Sequence, residues 1–366
     1  MDNDIVLVIV VMTALAFDFT NGFHDTANAV ATSISTRALS PRVAVTIAAI
    51  LNFVGAFLSL EVAATVAKGI VEADLVTPTI VFAGLVGAIF WNLLTWYFGL
   101  PSSSSHALIG GVVGSAIAAE GFRSVKGEGI VEKVLVPALV APLLAFAVAG
   151  LAILVAYRII GRQAPGTVNR GFRLGQILSG SLFSLAHGTN DAQKTMGIIF
   201  LALVANGSLG PEDDIPTWVV VSAATAIAAG TYVGGWRIIK TMGTKIIKMD
   251  PAQGFAAQGA GAAVILSASH AGFPLSTTHT ISGAIMGAGA AKRLSAVRWG
   301  VAGNIVAAWV LTLPAAAAVG ALTYGISSLF GDGSAGPLVV SIALVAALVF
   351  VFARRLAAGR TLTAEA

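Results

Sequence analysis

The chain has 366 residues, 57% of them hydrophobic and only 10% charged. A soluble domain carries about 25% charged residues, so this chain cannot cover a globular surface with polar groups. Its net charge of +4 therefore speaks of membrane sidedness and gives no case for nucleic acid, and the absence of cysteine excludes a disulfide framework or a thiolate metal site.

Apolar stretches recur along the chain at residues 5–17, 43–60, 80–98, 134–157, 218–236, 299–324 and 338–352. Roughly 20 helical residues cross a hydrocarbon core of about 30 Å, and these stretches fit that scale once frayed ends are allowed. They are continuously apolar, not alternating, which excludes a β-barrel. The first carries Asp2 and Asp4 where a signal peptide is basic, and it runs into polar residues, so it reads as a retained span. The expectation is an all-α integral membrane protein, a polytopic helical bundle of about 10–12 segments.

Basic residues gather between the spans: Arg37 and Arg42; Arg158, Arg162, Arg170 and Arg173; Arg237, Lys240, Lys245 and Lys248; Lys292, Arg293 and Arg298; and Arg354, Arg355 and Arg360. Placing these on the cytoplasmic side, as the positive-inside rule asks, accounts for 16 of the 21 basic residues. The assignment puts the N-terminus outside and the C-terminus inside. It also gives two halves with the same order of elements and opposite polarity, at 1–160 and 174–326. A short basic connector, 161–173, joins them, and an extra segment with a basic tail follows at 337–366.

Two motif pairs support this inverted repeat. Gly22-Phe23-His24-Asp25 aligns with Gly188-Thr189-Asn190-Asp191, and Pro101-Ser102-Ser103-Ser104-Ser105-His106 with Pro274-Leu275-Ser276-Thr277-Thr278-His279. Gly110 and Gly114 then match Gly283 and Gly287, small-residue steps that let helices pack closely. Inverted repeats are common in secondary transporters, whose substrate lies near the bilayer midplane where the repeats meet.

A charged side chain at the bilayer centre costs about 3 kcal/mol on insertion scales. Yet Asp18, Asp25, Asp191 and Lys194 lie in apolar stretches. Asp18, Asn21, Asp25 and Asn28 share one helical face, and Ser184, His187, Asp191 and Lys194 repeat the register. Carboxylate and amide oxygens suit a hard cation such as Na⁺ or a proton relay, and the spacing leaves both open. Because residues 5–35 and 174–206 are longer than a span needs, breaks or re-entrant turns are expected at Gly22 and Gly188.

The proline motifs make a second kind of site. Proline tolerates the first turn of a helix, and serine or threonine can cap it. The exposed N–H groups of such a terminus bind anions, and one from each half could grip an oxyanion from two sides. His106 and His279 could hydrogen-bond there, titrate, or fill polar pockets. No HExxH or other metal-ligand spacing occurs, which leaves a catalytic zinc without a place.

At these residues the chain resembles the inorganic phosphate transporter (Pit) family. The likeness rests on the two Asp motifs (22–28 and 187–194), the two proline motifs, and Gly230-Thr231-Tyr232-Val233-Gly234-Gly235-Trp236-Arg237. It implies a non-enzymatic, homodimeric symporter in the cell membrane that imports inorganic phosphate with H⁺ or Na⁺, as free ion or metal complex, without a cofactor. It implies Asp25, Asn28, Asn190 and Asp191 as coupling-cation residues. Ser103, Ser104, Ser105, Ser276, Thr277 and Thr278 are the implied phosphate ligands. Asn21, His106, His187, Lys194 and His279 give polar support. The alternatives are another oxyanion such as sulfate, or a gated anion channel.

Overall fold

The computed structural model describes residues 2–160, 163, 165–331 and 333–347. Arg162, Arg354, Arg355, Arg360 and the far end of the 338–352 span lie outside the described residues. What is described is helical: α1 (Asp2–Ser35), α2 (Pro41–Gly55), α3 (Glu61–Gly69), α4 (Pro78–Phe98), α5 (Ser104–Glu120), the short α6 (Gly127–Ile130), α7 (Val136–Ile160), α8 (Pro165–Ala205), α9 (Thr217–Val233), α10 (Trp236–Lys240), α11 (Pro251–His270), α12 (Thr277–Lys292) and α13 (Trp299–Ser328).

Four helical stretches are long and apolar enough to cross a membrane individually: Asp4–Ser35, Pro78–Phe98, Gly127–Ile159 and Trp299–Ser328. A fifth candidate, Thr217–Val233 with Trp236–Lys245, bends by 59° at Gly234 and Gly235. The remaining elements of the expected ten to twelve are short, or are diluted by the polar and small residues of the motifs. The fold class is a polytopic helical membrane protein.

Two helical hairpins organise the middle of the molecule. Thr77 caps α4, Pro78 opens it, and Gly99 ends it with a φ of 65° that favours glycine. After five residues α5 runs back. The base of this hairpin is closed where Val71 bridges Val125 and Lys126 meets Glu72 at 3.4 Å. In the second hairpin Asp250 and Gln253 form a reciprocal capping box at the start of α11. Lys292, at the end of α12, returns to Asp250 at 3.3 Å.

The hairpins enter from opposite ends. Helix α8 runs between the two ends: Gln176, in its early part, packs on Gly254 of α11. Glu212, just beyond its far end, pairs with Lys68 beside the other hairpin base. The tips meet in the middle, where the Ser105 hydroxyl donates to the Leu275 carbonyl at 3.1 Å. Buried apolar residues correspondingly form two clusters, one with Phe17, Leu85, Leu108 and Ile199 and one with Ala27, Phe183, Ile285 and Ile305. Polar residues of α1 and α8 lie between them.

The expected breaks at Gly22 and Gly188 are not there. Helix α1 runs unbroken through Gly22 and α8 through Gly188. The glycines serve close approach instead. A Cβ on Gly22 would lie 2.3 Å from the Ile227 carbonyl of α9, and one on Gly188 2.2 Å from the Asn52 carbonyl of α2. Breaks occur where the chain loses its backbone donors or adopts positive φ, at 99–103, 234–235 and 271–276. The prolines also sit differently from expectation. Ser103 and Ser276 are the N-caps, so Pro101 and Pro274 stand two residues before the caps and outside the helices.

Candidate functional site

The Ser103 and Ser276 hydroxyls accept from His106 N (3.1 Å) and His279 N (3.3 Å), one turn into each helix. The first intrahelical bonds are Ala107 N to Ser103 O and Thr280 N to Ser276 O. The N–H groups of Ser104, Ser105, Thr277 and Thr278 precede those bonds and carry the positive end of each helix dipole. Of the six expected hydroxyls, two are therefore caps, and four lie on the first turns facing the tip-to-tip contact.

Around that contact stand the acids of α1 and α8. The Thr277 hydroxyl lies 3.4 Å from Asp25 Oδ2 and 3.1 Å from Asp191 Oδ2, so one side chain spans both carboxylates. Thr278 Oγ1 is 3.4 Å from Asp25 Oδ1 and accepts from the Asn28 amide at 2.8 Å. Lys194 Nζ donates to Asp191 Oδ1 (2.5 Å), Ser105 Oγ (2.5 Å) and the Leu275 carbonyl (2.7 Å). All of these side chains are buried. Asp25, His187 and Asp191 bring one ligand atom each within 4.8 Å of one another, an arrangement able to hold a cation. His187 Nε2 is 3.0 Å from Asp191 Oδ2, while its Nδ1 is 3.2 Å from Asn52 Oδ1.

Asn190 commits its amide nitrogen to the neighbouring hairpin, while its oxygen is buried with no hydrogen-bond partner. Its amide donates to Ser269 Oγ (2.7 Å) and the Phe273 carbonyl (3.3 Å), which ties the α11–α12 hairpin to α8. His24, at the matching position of α1, does the same for the α4–α5 hairpin through Thr95 (3.1 Å) and Ser102 (3.4 Å). It also meets Asp25 Oδ1 at 2.6 Å. His106 and His279 pack edge to face, 4.7 Å between centroids, behind the two helix starts, and His279 stacks on Trp309 at 4.0 Å. Asn21 and Asp18 keep the helical register of Asp25; Asp18 lies beside Asn21 and Thr195 within electrostatic range of Asp191 and Lys194.

Sequence reasoning passed over Asn52 and Trp309, and gave Thr231 no role beyond its place in a motif. Asn52 joins His187 to Thr231, donating to its hydroxyl at 2.7 Å. A lone amide inside the apolar run 43–60 was the available signal. Trp309 donates to the Pro101 carbonyl at 3.1 Å and so touches both proline motifs. A tryptophan in an apolar helix gives no such signal. A groove of about 540 Å³ between α7 and α11 reaches Phe273 and Leu275, but apart from Glu132 and Ser267 its lining is apolar.

Facing helix starts and a central carboxylate pair between two helical hairpins of a polytopic bundle define a membrane protein of the transporter class. Residues 21–167 and 161–320 match the phosphate transporter family (PHO4), and the chain belongs to it. It is similar to a probable low-affinity inorganic phosphate transporter of Mycobacterium tuberculosis H37Rv, 59% identical over 89% of this chain and 78% of that one. The counterpart of the same description in Bacillus subtilis is 46% identical over 87% of this chain and 96% of its own length. Among solved structures it resembles one described as the sodium-dependent phosphate transporter. The TM-score is 0.78 and the identity 27%, over 88% of this chain and 99% of that chain.

Proposed function

We propose that the protein is a symporter that imports inorganic phosphate with a cation, H⁺ or Na⁺, by alternating access. The observation that carries the reading is the meeting of two capped helix N-termini beside Asp25 and Asp191. Four N–H groups and the hydroxyls of Ser104, Ser105, Thr277 and Thr278 form a donor-rich cradle for a tetrahedral oxyanion. The adjacent carboxylates supply the need for a cation. Two like charges 4 Å apart repel by about 4 kcal/mol at an effective dielectric constant of 20, so phosphate entering beside unneutralised acids is opposed. A cation bound first at Asp25, with the Asn28 oxygen, removes that opposition. Phosphate then docks, and the loaded hairpins move against the surrounding helices.

Residues 1–160 and 174–326 act as the two inverted repeats, each providing one hairpin, with 161–173 as connector. Hairpins entering from opposite ends support this. The basic clusters support a cell-membrane protein with its N-terminus outside and its C-terminus in the cytoplasm. The paired donors and acids act on a cargo and not on a bond, so no catalytic step is assigned.

Radiolabelled phosphate uptake into proteoliposomes, with Na⁺ and proton gradients imposed separately, tests the reading. Saturable accumulation driven by one gradient, inhibited by arsenate and not by sulfate, is expected. Non-saturating flux independent of either gradient would make the protein an anion channel, and sulfate inhibition would change the cargo.

A further inference from the structure

The two repeats present half-sites built on one plan, and they differ at the residue one turn beyond the acid. His24-Asp25-Thr26-Ala27-Asn28 aligns with Asn190-Asp191-Ala192-Gln193-Lys194, so Asn28 and Lys194 occupy equivalent places, one helical turn beyond each acid. Their surroundings match as well. Asn28 donates to Thr278 Oγ1 at 2.8 Å, and Lys194 to Ser105 Oγ at 2.5 Å. Thr278 and Ser105 are themselves equivalent, each preceding the histidine of its proline motif.

Where the halves differ is charge. In the second half the ammonium is held by a carboxylate, a hydroxyl and a main-chain carbonyl, at 2.5, 2.5 and 2.7 Å. Three hard oxygens of that kind would coordinate a small cation. Lys194 is 1% exposed, and its ammonium fills the place. In the first half the Asp25 carboxylate and the Thr278 hydroxyl correspond to the first two of these, and the Asn28 amide stands in the place of Lys194. The Asn28 oxygen is buried and has no hydrogen-bond partner. That half carries no lysine among its oxygens; the nitrogen base beside it is His24, 2.6 Å from Asp25 Oδ1.

We propose that Lys194 is a tethered cation that permanently fills one of two equivalent coupling sites, so that the carrier moves one fewer cation per phosphate than its pair of acids would otherwise take. The inference rests on the symporter reading and deepens it. Lys194 is on this account a specificity-determining residue: it sets the number of coupling ions and, through that number, the steepest phosphate gradient the carrier can sustain.

The test is the steady-state phosphate gradient in proteoliposomes, plotted logarithmically against the imposed gradient of whichever cation drives the wild type. The slope gives the coupling number. Lys194→Asn recreates the first half-site in the second and is expected to raise the slope by one cation. Asn28→Lys fills the remaining half-site and is expected to lower it by one. Thermal melting in detergent establishes that each variant is folded. A folded Lys194→Asn protein with an unchanged slope, or one that has lost phosphate transport altogether, would overturn the proposal. Should Lys194→Asn not fold, Asn28→Lys decides it, an unchanged slope again overturning it. A wild type that accumulates no phosphate under either gradient would sink the symporter reading itself; an active wild type whose slope neither variant moves would sink only the role of Lys194.

Discussion

Asp25 and Asp191 look alike in the sequence, but their neighbours give them different consequences when altered. Asp25 faces the amide of Asn28 through Thr278, with His24 on the same carboxylate oxygen, whereas Asp191 holds the buried ammonium of Lys194. Asp25→Asn should leave the protein folded and bring gradient-driven phosphate uptake down to the level of protein-free liposomes. Uptake with unchanged cation dependence would remove Asp25 from the coupling site. Asp191→Asn strands a buried cation, and breaking such a pair costs about 3–5 kcal/mol. A marked fall in melting temperature is expected, largely recovered when Lys194→Gln is added. No recovery in the double variant would mean that the pair is not what Asp191 stabilises. The stripes themselves were legible because helical spacing puts i, i+3 and i+4 on one face. The hold of Ser269 and Phe273 on the Asn190 amide nitrogen was not, because adjacent residues on a helix point in different directions and only the packed neighbours say where.

Among the elements, the two motif helices separate capping from binding. Ser276→Ala removes a cap and should lower stability by about 1 kcal/mol while leaving the coupling number as it was, measured by melting and by the uptake slope. Thr278→Val keeps the helix start but removes a hydroxyl facing the site. Here the loss should appear as weaker phosphate affinity, read from the concentration dependence of uptake. If the two variants behave alike, the division between cap and ligand is wrong. Close helix crossings make a further demand. A Cβ on Gly287 would stand 2.0 Å from the Phe146 carbonyl of α7, and one on Gly114 2.1 Å from the Ala317 carbonyl of α13. Neither can be accommodated without moving backbone, so Gly287→Ala should cost at least the 1–3 kcal/mol typical of overpacking, visible as lower yield and melting temperature. The small-residue steps were readable in sequence, although their partners were not. The breaks expected at Gly22 and Gly188 failed for a related reason: a mid-helix glycine signals either a bend or a close neighbour, and the neighbour is far away in the chain.

For the whole molecule, the described arrangement is closed around its centre. Ser104 is 1% exposed, as is Thr277. A carrier that opens alternately to the two sides must expose this centre in each cycle. With no native cysteine to interfere, Ser104→Cys should react with a membrane-impermeant thiol reagent supplied from either side, slowly, and more slowly still with phosphate present. Labelling from one side only, at a rate indifferent to phosphate, would argue against alternating exposure. The surface pairs Lys68–Glu212 and Lys292–Asp250, at 3.1 and 3.3 Å, hold the ends of the molecule only weakly, since exposed pairs contribute about 0–1 kcal/mol. They do not lock the hairpins in place.

The membrane class, the buried acids, the paired motifs and the family resemblance all came from the sequence alone. Hydropathy, helical periodicity and internal repetition are local or pairwise properties of a string, and they survive without coordinates. Tertiary structure decided what depends on distant segments meeting. It brought the two helix starts together at Ser105 and Leu275, turned Ser103 and Ser276 into caps, and put Thr277 between carboxylates from α1 and α8. It also brought Lys194 to oxygens of Ser105 and Leu275, 89 and 81 residues away along the chain. Such contacts are fixed by how helices pack, and the packing follows from surfaces that no single stretch of sequence contains.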